Sequence, residues 1–133
     1  MSKVLWLILL LVAVVVLVPP VRERAKPHLA FALDPFYEWS AKNRVSEISN
    51  LVKRADALGR TIPAAADFPR FVDTEDTKQN ASVDPWGTPY YLLAGRRSYQ
   101  VGSAGKDREP GTTDDILSVE ETLTRPAAGA GRR

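Results

Sequence analysis

Tyr90-Tyr91-Leu92-Leu93-Ala94-Gly95-Arg96-Arg97-Ser98-Tyr99-Gln100-Val101-Gly102 is the stretch on which the fold turns. Tyr90 to Leu93 is an aromatic and aliphatic run of strand length, Ala94 to Arg97 is a turn, and Ser98 to Gly102 is a second strand. Downstream the hairpin gives way to Ser103-Ala104-Gly105-Lys106-Asp107-Arg108-Glu109-Pro110-Gly111-Thr112-Thr113-Asp114-Asp115-Ile116. This loop is punctuated by Gly and Pro. It crowds Asp107, Glu109, Asp114 and Asp115 against only Lys106 and Arg108. Carboxylates held that close repel unless a cation or solvent screens them. A hard cation such as calcium takes roughly six to eight oxygens from carboxylates and carbonyls, and a turn-rich loop can supply both. The plainer alternative is a solvated acidic loop whose aspartates cap turns. The DxDxDG order of an EF-hand is absent. Ile116 to Val119 reads as a third, short strand.

Upstream, Asp84-Pro85-Trp86-Gly87 fits a type I turn, with Asp at its first position, Pro at its second and Gly at its fourth. Thr61 to Val83 reads as a long connection, pinned by Ile62, Phe68, Phe71 and Val72. Before it, Ala41, Val45, Ile48, Val52 and Ala55 recur at helical spacing, with Leu51 and Leu58 widening the stripe. Asp34-Pro35 has the chemistry of a helix start and Gly59 that of a helix end, so residues 35–58 are expected to form one amphipathic helix. Phe36, Tyr37 and Trp39 at its head read as core or membrane-interface residues. A helix on a small three-stranded antiparallel sheet is an α+β fold, here expected over residues 34–124.

The flanks differ in kind. Val4 to Val18 is an unbroken apolar run ending at Pro19-Pro20. At about 1.5 Å per residue it covers roughly 23 Å, short of a hydrocarbon core of ~30 Å. A cleaved signal peptide is the rival reading. The nearest A-x-A-like site, Ala30-Phe31-Ala32, lies beyond Arg22, Glu23, Arg24 and Lys26, which favours an uncleaved transmembrane anchor over residues 1–20. Residues 21–33 are then a juxtamembrane connector. Its His28 is the only histidine and lacks the companions that a zinc site requires. The basic residues after the span place the head in the cytoplasm by charge count, whereas a short N-terminal anchor is ordinarily exported tail outward, and the two readings stand opposed. Residues 125–133 read as a disordered tail.

Composition narrows the rest. With 133 residues there is room for one domain, and with no cysteine there is no disulfide to support a small core. A net charge of +2 without a basic, aromatic-interleaved stripe gives no nucleic-acid footprint.

Over residues 37–119 the chain resembles the major pseudopilins of type II secretion systems. Asp84-Pro85-Trp86-Gly87-Thr88-Pro89-Tyr90 is similar to the family's D-P-W-G-x-P-Y at the approach to the sheet. The hairpin leading to Ser103 follows in the same order. The acidic loop is similar to its S-x-G-x-D-G-x-P-G, followed by a D-D-I ending. The resemblance implies a pilin-like head with a structural calcium ion held by Asp107, Asp114 and Asp115, assisted by the backbone carbonyls of Ala104 and Glu109. Arg108 stands where the family has Gly, a position suited to positive φ. The family's N-terminal pattern, a basic leader ending in Gly and then Phe-Thr-Leu-x-Glu, has no counterpart: the first glycine is Gly59 and the first glutamate Glu23. This suggests a pseudopilin head on a different anchor that does not polymerise in the ordinary way.

The expected function is therefore a non-enzymatic, inner-membrane-anchored structural or interaction protein of the secretion type. Its head would lie in the periplasm or otherwise outside the cytoplasm. Its partners would be the membrane and secretion-system or pseudopilin-like subunits, with no nucleic acid and no small-molecule substrate. The alternative is a stand-alone anchored binding module that uses the fold without polymerising. No G-x-S-x-G, phosphate loop or cysteine nucleophile points to an enzyme.

Overall fold

Ala41, Val45, Ile48, Val52 and Ala55 are all buried, forming one face of a helix that carries the core. The computed structural model describes residues 2–17 and 19–128, and the chain divides into two compact units, Met1–Pro35 and Phe36–Arg133. The helical elements are α1 (Ser2–Leu17), α2 (Pro19–Ala57) and α3 (Phe68–Glu75). The strands are β1 (Tyr91–Ala94), β2 (Ser98–Ser103), β3 (Ile116–Leu117) and β4 (Glu121–Thr122).

In the first unit, α1 exposes Val4, Leu5, Trp6, Leu7, Ile8, Leu9 and Leu10. Its 16 residues span about 24 Å. Among the described residues no helix is long and apolar enough to cross a membrane. The expected helix start at Asp34-Pro35 is not found, because α2 runs from Pro19 to Ala57 through both residues. Leu29-Ala30-Phe31-Ala32-Leu33 is rich in good helix formers. They carry the helix into Asp34-Pro35 despite the cost that an interior proline imposes through its missing N–H and its clash with the preceding turn. The connector read at residues 21–33 is accordingly helical throughout.

In the second unit, α2 closes on a Schellman motif. Arg60 N–H donates to the Ala55 carbonyl at 3.0 Å, Gly59 N–H donates to the Asp56 carbonyl at 2.9 Å, and Gly59 takes φ +73°. Leu58, expected to widen the apolar stripe, is exposed because it already belongs to this cap, and Leu51 is half-buried. Phe36 and Trp39 are exposed rather than core, while Tyr37 meets Trp86 edge-on at 6.1 Å.

The connection at 61–83 is more ordered than its sequence suggested. A short 3-10 turn at Ala65–Asp67 leads into α3, whose Phe68 and Val72 are fully buried. Of the residues expected to pin this segment, Ile62 is buried ahead of the turn, and Phe68, Phe71 and Val72 at i, i+3 and i+4 form one face of α3.

The sheet is antiparallel and has four strands, one more than expected. β1 pairs with β2 from Tyr91 opposite Gly102 to Ala94 opposite Tyr99. β3 and β4 both pair along the other edge of β2. The register slips by one residue between Gly102–Leu117 and Tyr99–Glu121, the mark of a bulge. At the slip, Ser118 Oγ accepts the Val101 N–H at 2.9 Å, a place where a strand carbonyl would ordinarily stand. A side-chain substitute of this kind leaves no periodic signal in sequence. Tyr90, Leu92, Tyr99 and Val101 point into the core against Val45, Ile48 and Val52, and Tyr99 Oη donates to the Ser49 carbonyl at 2.9 Å.

Residues 125–128 of the stretch read as a disordered tail are tied to the head at three points. Leu123 and Ala127 are buried, Arg125 donates to the Gly59 carbonyl at 2.9 Å, and Ala128 N–H donates to the Ile62 carbonyl at 2.9 Å. The remainder of that stretch, 129–133, lies outside the described residues.

Candidate functional site: a turn-tethered acidic loop

Asp84 organises the approach to the sheet. It is 4 % exposed, and its carboxylate accepts the Trp86 N–H at 3.1 Å and the Thr88 N–H at 2.8 Å. The expected turn forms, with Gly87 N–H donating to the Asp84 carbonyl at 3.0 Å. The second carboxylate oxygen of Asp84 accepts the hydroxyl of Ser103 at 2.7 Å. Ser103 is fully buried at the end of β2, and its Oγ in turn receives the Gly105 N–H at 3.3 Å. The D-P-W-G turn and the acidic loop are thus one hydrogen-bonded unit, although about 20 residues separate them. A buried carboxylate is sustained by such donors, each about twice as strong as a neutral hydrogen bond.

Within the loop, each aspartate accepts from named donors. Asp107 Oδ1 receives the Glu109 N–H at 2.9 Å, and Asp114 Oδ2 receives the Asp107 N–H at 2.9 Å. Asp115 Oδ2 receives both the Gly111 N–H and the Tyr91 hydroxyl at 2.6 Å. Thr112 Oγ1 approaches Asp114 Oδ1 at 2.7 Å, Asp115 Oδ1 at 3.4 Å and the Glu109 carbonyl at 3.1 Å. The Asp107 N–H, followed by the Thr112 hydroxyl, holds the Asp114 carboxyl at about 2, below the usual range. Burial, followed by the neighbouring Asp115, raises the Tyr91 phenol, which therefore stays a donor. Arg108 adopts φ +65°. The loop keeps the left-handed conformation that glycine favours and carries it on a side chain.

The structure places all five residues singled out in the sequence on this loop. Asp107 and Glu109 are exposed, Asp114 and Asp115 half-buried, and Ala104 fully buried where β2 ends. Their carboxylates and carbonyls have the hard-oxygen chemistry that suits calcium. Their present arrangement is one closed by hydrogen bonds: among the described residues no group of three or more His, Cys, Asp or Glu side chains is poised to hold a metal. The sequence reading missed Asp84's role beyond the turn, and it missed Ser103, Thr112 and Tyr91. Strand alternation offered a signal for the last, since with Tyr90 in the core its neighbour faces the other side.

A helix packed on a small antiparallel sheet, whose second strand runs into a turn-tethered acidic loop, defines an α+β head module. Its family is shown by comparison. The family model of type II secretion system protein G matches residues 46–121, more than half of the chain. The protein belongs to that family of secretion pseudopilins. Comparison with curated proteins and with solved structures returned no significant match.

Proposed function

We propose that this chain is a membrane-anchored, non-enzymatic structural subunit related to the secretion pseudopilins, with its head outside the cytoplasm and its acidic loop a site for calcium. The observation that carries the reading is the Asp84–Ser103 bond, which joins both sequence hallmarks of the family into one element at the end of β2. The exposed apolar residues of α1, from Val4 to Leu10, support the anchor. Asp107, Asp114 and Asp115 would ligate the cation, with the carbonyls of Ala104 and Glu109. The ion would supply positive charge to the loop's carboxylates and would couple loop stability to the calcium outside the cytoplasm.

Its partners on this reading are the membrane and other secretion-system subunits. Protease accessibility in spheroplasts, followed by site-specific cross-linking from the head, tests both parts. Digestion of the head from outside, with cross-links to secretion subunits, is the expected result. A head protected until the cells are lysed contradicts the proposed orientation. The apolar run at residues 4–18 contains no glutamate, unlike the Phe-Thr-Leu-x-Glu start of the family, and this favours a second reading, an anchored binding module that does not polymerise. Cross-links to an unrelated protein alone would favour it over the first.

A further inference from the structure

We infer that residues 21–39 of α2 lie in the plane of a membrane surface rich in anionic headgroups, as an interfacial amphipathic helix. The inference rests on the reading that the chain meets a membrane, and not on α1 crossing one.

Val21, Ala25, Leu29, Ala32, Phe36 and Trp39 recur at i, i+4, i+8, i+11, i+15 and i+18 along α2. At about 100° of turn per residue they share one narrow stripe of the helix. Within the head, the last two members are open: Phe36 is 59 % and Trp39 62 % exposed, and their rings meet at 6.1 Å. Both stand on the side of α2 away from the buried Ala41, Val45 and Ile48, so the sheet does not cover them. Tyr37 turns instead to Trp86. Past Trp39 the same stripe becomes polar, with Asn43, Ser46 and Asn50 exposed at the positions that continue it.

Charge is sorted about this stripe. By the same angular count, Arg22 and Lys26 border it on one side, and Arg24 and Lys42 on the other. Glu23, Asp34 and Glu38 fall on the far side. An anionic lipid surface complements that order: apolar residues enter the acyl boundary, flanking cations reach phosphates, and carboxylates stay in water. Trp39 adds an aromatic ring suited to the headgroup level. A protein groove would also cover the apolar residues, but cations on both flanks match a continuous layer of phosphates.

The chain has no cysteine, so single cysteines carry nitroxide labels without background. The test places labels at Glu23→Cys, Ala25→Cys, Leu29→Cys, Ala30→Cys and Ala32→Cys in the full chain. Each variant is reconstituted in vesicles of mixed phosphatidylcholine and phosphatidylglycerol. Electron paramagnetic resonance then compares access to oxygen, which enters lipid, with access to a water-soluble nickel complex. The oxygen-to-nickel ratio is expected to be at least about threefold higher at positions 25, 29 and 32 than at 23 and 30. That alternation should weaken in vesicles of phosphatidylcholine alone; equal strength in both lipids overturns the role given to the cations. Nickel access at all five positions, or lipid on all sides, overturns the in-plane helix. Stripe labels shielded from both reagents mean a protein cover, such as a second copy, and overturn it too. A label at Leu9→Cys reports on α1 separately. Lipid at position 9 without the alternation refutes the inference and leaves the anchor standing. Alternation with water at position 9 does the reverse, and water at every position refutes both.

Discussion

The two ends of β2 are held by opposite kinds of chemistry. At its start, Tyr99 packs among Val45, Ile48 and Val52. At its end, Ser103 passes from Asp84 into a loop of carboxylates that hold one another apart through intervening donors. The first end draws on burial, which is non-directional and tolerates small errors of position. The second draws on hydrogen bonds, which are directional and costly to leave unmade. Damage should accordingly spread through the whole head from the first end and stay local at the second.

The largest effect is expected from Ile48→Ala, which opens a cavity under the sheet and should cost about 2–5 kcal/mol in chemical denaturation. Loop amide protection relative to the rest of the head should be unchanged; a selective loss at the loop would break the contrast. Asp84→Ala should cost about 1–3 kcal/mol, because it strands the Trp86 and Thr88 N–H groups and the Ser103 hydroxyl at a buried position. Unlike Ile48→Ala, it should free the Gly105 amide first, as exchange at single residues can establish. Arg108→Gly should move stability the other way, by about 1 kcal/mol, by relieving a left-handed residue, less the entropy that glycine adds to the unfolded chain. A melting temperature that falls in this variant would mean the Arg108 side chain contributes more than its backbone costs.

The smallest effect concerns acid. Asp76 is held below the usual carboxylate range by the Lys78 N–H and then by Arg44, which it meets at 2.7 Å. A lowered pKa in the folded state gives stability that is complete above pH about 4 and is lost as pH falls through the lowered value. Asp76→Asn should lower stability near neutrality and flatten the acid limb, so that the two profiles converge below the lowered pKa.

The same contrast governs what could be read from sequence. The apolar half was legible because burial repeats with the helix: Ala41, Val45, Ile48, Val52 and Ala55 announce a face, and Gly59 announces its end. Hairpin and turn were legible because Gly and Pro mark backbone conformations that few residues adopt. The helix start failed because Asp34-Pro35 satisfies the local rule for a cap, yet a run of helix formers precedes it. α3 escaped because residues 61–83 hold two prolines and few periodic apolar residues, although Pro69 falls in the helix's first turn, where proline fits. The polar half was legible in composition alone. Which carboxylate meets which donor depends on β1 lying beside β2 and on Asp84 reaching Ser103, and neither contact has a sequence period.

The most direct test is the melting temperature of the full chain and of Asp107→Ala, each in excess calcium, in excess magnesium and in chelator. A loop that is a calcium site of a pseudopilin-type head predicts a rise of several degrees for the native chain with calcium alone, and almost none for Asp107→Ala. Equal melting temperatures for both chains in all three conditions would contradict it, leaving Asp107, Asp114 and Asp115 as acceptors of an ordinary loop.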